Sequence, residues 1–315
     1  MKRILITGAS GFIGHRLSSA LLEKGFALHL ASRSGARGQS SERCRSFPID
    51  AIDPRTDWSD ALAGVDRVVH LAAMLPGQGS LADYRRVNVS GTEKLARDAA
   101  RSGVERFVFM STVGVNGNES GAMPFTESDA PRPHDDYSLS KREAEQVLTA
   151  VSGETGMETV SLRAPLVYGP GAKGKLLFLL RCIDRGLPLP LGGLDNRRSL
   201  LYLDNLVDVI LLCLASPAMN GRTYMVSDGE DLSTAEFAGR LARAMGRPTR
   251  LLRVPANLLE AMAGVLGRAS AVRQLSRPLL INGARIRREL GWRPAYSVDE
   301  GIRRTVEWYL ARQAR

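Results

Sequence analysis

Near the start of the chain, residues 4–14 read ILITGASGFIG. The apolar residues at 4–6 predict a short buried strand, and the amphipathic pattern over 12–24 predicts a helix. Gly8, Gly11 and Gly14 stand between and within them at a GxxGxxG spacing. The first glycine permits a tight turn, the second lets backbone N–H groups approach a pyrophosphate, and the third allows close packing of helix on strand. Because a helix N-terminus also attracts anions, the stretch predicts a dinucleotide-binding loop, with a plain strand–helix turn as the alternative.

Short apolar runs and amphipathic stretches alternate through the first half of the chain. They predict strands at 27–31, 68–71 and 107–110, and a helix at about 89–101. This alternation indicates right-handed βαβ units, and it predicts an α/β protein with a Rossmann-type, doubly wound parallel sheet. Glycine and proline become denser near residue 165. We therefore expect an NAD(P)-binding domain over 1–165 and a smaller substrate-binding lobe over 166–315, from which some elements could return to the first domain.

The composition is that of a globular enzyme. The 315 residues are 44% apolar and 24% charged, which excludes disorder and fibrous repeats. No apolar run approaches the roughly 18 residues of a membrane span, and the apolar start is too short for a signal peptide. We therefore expect a cytoplasmic protein. The three cysteines and four histidines are scattered along the chain, so we expect no metal site.

The net charge of +10 comes almost wholly from 37 arginines, against six lysines. These arginines are spread along the chain, so we expect no nucleic-acid partner. An anionic small molecule fits the charge equally well, since guanidinium groups match phosphate geometry. An arginine-rich genome is the remaining explanation. An apolar stripe over 258–266 is expected to pack within the small lobe, with a membrane-surface helix as the alternative.

The residue after the second predicted strand indicates which form of the cofactor is bound. An acidic side chain there would bind the adenosine ribose and favour NAD. Arg33 stands there instead, with Arg37 nearby, and a guanidinium suits a 2′-phosphate. We therefore favour NADP(H), with NAD(H) possible; the alternative is that Arg33 is a solvated loop residue. Asp50, which follows residues 47–49, is a candidate for the adenine edge.

A tyrosine and a lysine stand four residues apart, at Tyr137 and Lys141. On a helix they share one face, and an ammonium one turn from a phenol is expected to lower the pKa of that phenol. The pair could then exchange a proton with a hydroxyl while hydride moves to or from a nicotinamide. A hydroxyl at Ser111 or Thr112, after the strand at 107–110, could orient the substrate oxygen.

Several further motifs occur in the order that is typical of one family. They are HLAA (70–73), NVSGT (88–92), ST (111–112), YSLSK (137–141), RAPLVYGPG (163–171), RSLLYLDN (198–205) and LGW (290–292). With the glycine loop, they make the whole chain resemble the extended short-chain dehydrogenases/reductases. The later motifs resemble the nucleotide-sugar branch of the NAD-dependent epimerase/dehydratase family. That branch includes the UDP-glucose 4-epimerases and relatives that reduce a 4-keto-6-deoxy UDP-sugar.

The resemblance implies a role for individual residues. Thr112 would be a catalytic and substrate-binding residue, Tyr137 the acid/base, and Lys141 a catalytic residue that also holds the nicotinamide ribose. Arg198 would contact the diphosphate of a UDP-sugar, and a second diphosphate arginine would be Arg273 or Arg277. The implied cofactor site comprises Gly8, Gly11, Phe12, Ile13, Gly14, Arg33, Asp50, Leu71, Ala72, Ala73, Asn88, Ser111, Tyr137, Lys141 and Pro165.

Two departures from the family pattern leave the sugar open. The family usually has tyrosine two residues after the motif's valine, whereas Val115 is followed here by Asn116 and Gly117, and Leu166 stands where a substrate-binding asparagine is often found. The implied activity is hydride transfer at C4 of a UDP-hexose, as a 4-epimerase or as a 4-keto-6-deoxy-hexose reductase. The alternative is a non-catalytic NADP(H)-binding sensor or scaffold of the same fold.

The resemblance also implies a homodimer. Helices around 89–101 and 137–151 would pair with their symmetry mates in a four-helix bundle, in keeping with the two-fold symmetry of most oligomers. We expect small and apolar side chains to supply that surface, at Ala96, Ala99, Ala144, Val147 and Leu148.

Overall fold

The structure is a computed structural model that describes residues 2–33, 41–217, 219–265 and 269–313, without the side chains of residues 262–265, 269–271 and 274. The strands are β1 (Arg3–Thr7), β2 (Ala27–Ser32), β3 (Cys44–Pro48), β4 (Arg67–His70), β5 (Arg106–Thr112), β6 (Glu158–Ala164), β7 (Leu166–Tyr168), β8 (Arg198–Tyr202), β9 (Arg222–Met225) and β10 (Asp231–Leu232). The α-helices are α1 (Phe12–Glu23), α2 (Ser59–Leu62), α3 (Leu81–Tyr84), α4 (Gly91–Arg101), α5 (Asp136–Thr155), α6 (Gly174–Asp184), α7 (Leu203–Ala215), α8 (Thr234–Ala244), α9 (Ala256–Val265), α10 (Ala269–Ser276), α11 (Ala284–Leu290) and α12 (Val298–Gln313). Arg37 lies outside the described residues.

Seven strands form one sheet in the order β3-β2-β1-β4-β5-β6-β9. Every neighbouring pair in it is parallel. The predicted α/β class and Rossmann-type parallel sheet are confirmed. The chain leaves β1 on one side for β2 and β3 and on the other for β4, β5 and β6. This reversal next to β1 is where open sheets of this type bind their ligands.

Helices cover both faces of the sheet because side chains of a strand alternate between its faces. Ile4 and Ile6 point to the face covered by α1 and α7, whereas Leu5 points to the face covered by α4 and α5. Both layers are apolar where they meet the sheet, so the inner strands β2, β1, β4, β5 and β6 are buried on both sides.

The residues that we expected to supply a dimer surface are used within the chain. Ala96, Ala99 and Ala144 are fully buried, and Leu148 is 1% exposed, all packed between α4, α5 and the sheet. Val147 packs against the same cluster. The sequence-based assignment of these side chains to a dimer surface is therefore wrong: their small size serves the packing of α4 and α5 on their own sheet.

A second, three-stranded sheet lies beyond the first in the order β10-β8-β7. β7 begins one residue after Pro165, which ends the main-sheet strand β6. The aromatic residues of this sheet pack with α6, α8 and α12 around a separate apolar cluster. β9 also comes from the second half of the chain, yet it pairs with β6 in the main sheet.

The predicted helix at 89–101 begins differently from its pattern. A π-helical turn spans Arg85–Ser90, and regular α-helix starts only at Gly91. A Cβ on Gly91 would come within 2.7 Å of Ile52, so the helix packs too closely for any other residue there. Among the described residues, no helix is long and apolar enough to cross a membrane.

Candidate active site

The carboxyl ends of the parallel strands gather most of the predicted site residues at one edge of the main sheet. Gly8 follows β1, Arg33 follows β2, and Leu71 follows β4. Thr112 ends β5, and Pro165 follows β6. Asp50 lies two residues beyond β3 and is exposed. Positions more than 150 residues apart in sequence, such as Gly8 and Pro165, thus face one crevice, in the place where α/β sheets bind ligands.

The glycine loop leaves no room for side chains. Gly8 has φ +70°, and a Cβ there would lie 2.9 Å from the Ala72 nitrogen. A Cβ on Gly14 would lie 2.3 Å from the Gly8 oxygen. The Gly11 nitrogen donates to the same oxygen at 2.9 Å. Gly11 is the N-cap of α1 and has no side chain to cap it, so the first-turn N–H groups at Phe12 and Ile13 are open to an anion. This cradle fits a cofactor pyrophosphate.

Gly14→Ala should abolish cofactor binding, because its methyl would meet backbone atoms that cannot move without opening the turn. Gly153→Ala is the matched control: Gly153 lies within α5, and its Cβ would meet nothing within 4 Å. The control should gain about 0.5–1 kcal/mol of stability. Calorimetric titration with NAD and NADP, and urea unfolding, would measure both; wild-type cofactor affinity in Gly14→Ala would contradict the assigned role.

His70, at the end of β4, is a buried structural residue. Thr92 Oγ1 donates to the Asn88 oxygen at 2.7 Å, so it accepts from His70 Nε2 at 2.9 Å. His70 Nδ1 then accepts from Thr7 Oγ1 at 2.7 Å. Burial lowers the pKa of His70 to about 3, so the ring is neutral at physiological pH. The bridge ties β1, β4 and α4 together beneath the site.

Asn88 holds the loop after β4 against α5. Its Oδ1 accepts from the Met74 nitrogen at 2.8 Å, and its Nδ2 donates to the Met74 oxygen and to Ser140 Oγ. Asn88 is 2% exposed and lies in the π-helical turn. The loop that contains Leu71, Ala72 and Ala73 is therefore fixed at the edge of the crevice, where the sequence places a cofactor contact.

The tyrosine and lysine lie in the first two turns of α5. Asp135 and Ser138 form a reciprocal capping box that starts the helix. Tyr137 lies between these two capping residues. The Lys141 ammonium lies 3.9 Å from the centre of the Phe109 ring on β5. Thr112, at the end of β5, accepts a hydrogen bond from the Gly114 nitrogen at 3.1 Å. The end of β5 and the start of α5 thus carry the three predicted catalytic side chains.

We expected Lys141 to lower the pKa of Tyr137, whereas the surrounding protein raises it. Burial, with the nearby Asp135 charge, raises the pKa of Tyr137 to about 12. Burial also lowers the pKa of Lys141 to about 7, against the opposing effect of Glu145. The prediction counted only the charge of the lysine, whereas desolvation of both groups dominates. The phenol is therefore protonated at neutral pH and can act as a proton donor.

A buried ion pair behind these residues was not predicted. Arg163 on β6 forms a two-pronged contact with Glu145 on α5, with Nε–Oε1 at 3.0 Å and Nη2–Oε2 at 2.5 Å. Ser111 Oγ donates to Glu145 Oε1 at 2.5 Å, and Arg163 Nη1 donates to Asn116 Oδ1 at 2.9 Å. The Ser111 hydroxyl thus faces this cluster. The residue at 116, a noted departure from the family pattern, was the one sequence signal for it.

The predicted substrate arginines lie beside the second sheet. Arg198 begins β8, and its Nη1 donates to the Arg277 oxygen at 2.8 Å. Burial lowers the pKa of Arg198 to about 10, which leaves it charged at neutral pH. The Arg277 guanidinium lies 3.7 Å from Glu119 and 3.8 Å from Glu260. Arg273 is exposed on α10. Of the two candidates, Arg277 is therefore the one that contacts Arg198, and the contact is made by its backbone oxygen.

Arg198 also lines a pocket of about 750 Å³ between α6, α8 and β8. We call it the leucine pocket, because leucines are its most frequent lining residue. Leu166, Leu200 and Phe237 contribute to its wall. In the part of the chain that the structure describes, no cluster of three or more histidine, cysteine or acidic side chains could hold a metal ion.

The parallel sheet, the glycine cradle and the predicted catalytic side chains at one edge are those of a Rossmann-type enzyme. Comparison with known proteins gives its family. Residues 4–227 match the NAD dependent epimerase/dehydratase family, and the chain belongs to this family.

Similarity to individual proteins extends over almost the whole chain. A UDP-glucose 4-epimerase of Vibrio cholerae is 36% identical over 98% of this chain and 96% of its own length. A 3-beta-hydroxysteroid dehydrogenase of Mycolicibacterium neoaurum is 28% identical over 98% of this chain and 91% of its own. The structure of the dTDP-glucose 4,6-dehydratase DesIV from Streptomyces venezuelae, with NAD bound, superposes with a TM-score of 0.82 at 27% identity and covers 99% of this chain and 98% of DesIV.

Proposed function

We propose that this enzyme transfers hydride at C4 of a UDP-hexose, with residues 1–165 binding the cofactor and 166–315 the substrate. One observation supports this most directly. Thr112, Tyr137 and Lys141 lie at the edge of the crevice that the glycine cradle also faces, in a chain that is 36% identical to a UDP-glucose 4-epimerase. The NAD(P) nicotinamide would supply or accept the hydride.

The chain's own residues would carry the proton and hold the reactants. Tyr137 Oη would give its proton to the C4 oxygen as a keto group is reduced, and would take it back when the alcohol is oxidised. The Thr112 hydroxyl would orient the same oxygen, and Lys141 would hold the nicotinamide ribose. Arg198 would bind the diphosphate as a charge-assisted donor. An ion pair with Asp204 would be the alternative role for Arg198, but Asp204 already contacts Arg16 at 2.6 Å.

Two versions of the reaction use the same groups. A reductase consumes NADPH once per turnover, whereas an epimerase returns the hydride to the other face of the sugar and keeps its cofactor. Incubating the purified enzyme with UDP-glucose, UDP-N-acetylglucosamine and a 4-keto-6-deoxy UDP-hexose distinguishes them. Loss of NADPH absorbance with the keto-sugar supports the reductase, and interconversion of UDP-hexoses without net cofactor change supports the epimerase. Absence of both would overturn the proposal.

For the cofactor we propose a preference for NADP(H) over NAD(H). Arg33 is exposed directly after β2, beside the turn in which Gly8 donates to the Ala31 oxygen at 3.0 Å. Its guanidinium could bind the 2′-phosphate.

Arg33→Asp should therefore remove or reverse the preference. Arg101→Asp, which changes an exposed arginine at the end of α4, is the charge-matched control and should leave it unchanged. Calorimetric titration of both variants with each cofactor measures the effect. Equal affinity of the wild type for NAD and NADP would remove the role of Arg33.

We also propose a homodimer that pairs α4 and α5 with their symmetry mates. Because the small side chains of these helices are buried in the chain itself, the contact would use their outward polar face. Arg97 lies there, bound to Glu93 at 2.9 Å and to Glu154 at 2.6 Å. Light scattering at micromolar concentration should give the mass of two chains. A monomeric mass would refute the assembly.

A further inference from the structure

The leucine pocket has an apolar wall. Twelve of its seventeen lining residues are apolar, and leucine accounts for eight of them. Its volume of about 750 Å³ falls in the range of small-molecule sites. At its rim the structure leaves large apolar side chains in contact with solvent: Phe178 on α6 is 68% exposed and Leu166 on β7 is 49% exposed. Contiguous exposed apolar surface of this kind is typical of sites that contact a ligand, a protein or a membrane.

The two hydroxyl side chains in the wall are already engaged by the protein. Ser233 Oγ accepts from the Glu236 nitrogen at 3.0 Å as the N-cap of α8. Thr234 Oγ1 donates to the Leu275 oxygen at 2.9 Å. Arg198 donates through Nη1 to the Arg277 oxygen and is also the group proposed above to bind the diphosphate. A nucleobase buried in the pocket would need partners for several donors and acceptors, and each one left without a partner costs about 1–3 kcal/mol. A hydrocarbon group has no such need.

The pocket begins close to the catalytic residues. Thr112 on β5 is paired in register with Ala164 on β6. Leu166 comes two residues after Ala164, a distance of at most about 7.6 Å along the chain. Leu166 is in turn paired with Leu200, which also lines the pocket. A molecule whose reacting carbon lies at Thr112 can therefore extend a group into the pocket.

We propose that the leucine pocket holds a hydrocarbon group of the substrate, an alkyl or acyl chain or a ring system, attached to the molecule whose hydroxyl or keto carbon reacts. The inference rests on the hydride-transfer site proposed above and names the chemistry of the substrate's far end. Two sources could supply that chemistry. One is a UDP-sugar that carries a long acyl chain, and the other is an apolar ketone or alcohol without a nucleotide.

The binding test uses the full-length enzyme and a fluorescent apolar dye, anilinonaphthalene sulfonate, which decan-2-one should displace. The double variant Leu166→Asn/Phe178→Ser makes the rim polar at two exposed positions. It should weaken the binding of the dye and of decan-2-one about tenfold, which corresponds to the free energy of burying about two methylene groups. Leu310→Asn, at a 39% exposed leucine on α12, is the matched control and should bind as the wild type does. Tyr137→Phe should also bind the dye normally.

The source is identified by turnover. NADPH-dependent reduction of decan-2-one, reduced about tenfold in the double variant, indicates the apolar ketone. UDP-glucosamine N-acylated with a decanoyl chain, bound about tenfold more tightly than UDP-N-acetylglucosamine, indicates the acylated sugar.

Two results overturn the inference: decan-2-one that fails to displace the dye, or a double variant that binds both ligands like Leu310→Asn. If unacylated UDP-sugars turn over but neither decan-2-one nor the decanoyl UDP-sugar gains from the pocket, the pocket inference fails and the proposed function stands. If decan-2-one is reduced and no UDP-sugar reacts, the UDP-hexose assignment fails and the pocket inference stands.

Discussion

Tyr137→Phe should lower the turnover rate by ~10²–10⁴-fold while cofactor binding is retained. The substitution removes a single hydroxyl and keeps the ring that packs at 6.2 Å from Tyr84. Burial raises the pKa of Tyr137 to about 12, so the group that is lost is a protonated donor at neutral pH. Steady-state rates with a UDP-sugar or a keto substrate, together with calorimetric titration of the cofactor, measure the two quantities separately.

Tyr84→Phe is the control for this substitution. It removes a phenol hydroxyl from the neighbouring ring, where the hydroxyl donates to the Leu75 oxygen at 2.9 Å. That loss should cost about 1 kcal/mol of stability and little of the rate. A Tyr137→Phe enzyme that turns over at the wild-type rate would eliminate Tyr137 as the acid/base. Equal loss of rate in both variants would indicate a structural effect on α5.

The sheet and the positions of the side chains proposed as catalytic could be predicted from local patterns. The glycine spacing at 8, 11 and 14 requires a strand before it and a helix after it, and both are present. Parallel strands end at one edge of a sheet, so residues that follow different strands had to meet there. Thr112 and Tyr137 are 25 residues apart in sequence, yet each is adjacent to an element that local pattern identifies.

The electrostatics of the site could not be predicted in the same way. The pKa of Tyr137 depends on whether the charge of Lys141 or desolvation has the larger effect. The extent of desolvation is set by how deeply the tyrosine is buried, and the i,i+4 spacing gives no information about burial. The Ala96 and Ala144 positions show the same limit, because a small side chain on a helix fits a neighbouring sheet as well as a symmetry mate. Leu166 was visible only as a departure from a pattern, and its neighbours Leu200 and Phe237 come from distant elements.

The buried ion pair of Arg163 and Glu145, which was not predicted from the sequence, leads to a large expected effect on stability. Glu145→Gln should destabilise the protein by about 3–5 kcal/mol, because it leaves the Arg163 guanidinium buried without its carboxylate. Arg163 is 6% exposed and Glu145 is 8% exposed. Glu145 also accepts the Ser111 hydroxyl next to Thr112 and lies one turn from Lys141. The same substitution should therefore lower the turnover rate of the enzyme that remains folded.

Glu143→Gln on the same helix is the control, since its partner Arg85 is half exposed and the pair is open to water. Such a surface pair is worth about 0–1 kcal/mol. Urea unfolding of both variants compares them directly. The double variant Glu145→Gln/Arg163→Met should be more stable than the sum of its single substitutions predicts, because removing the second charge relieves the unpaired one. If Glu145→Gln costs no more than Glu143→Gln, the buried pair is already hydrated through the polar cleft that reaches Glu145 and Arg163 between α5 and β9, and its role is to position Ser111 alone.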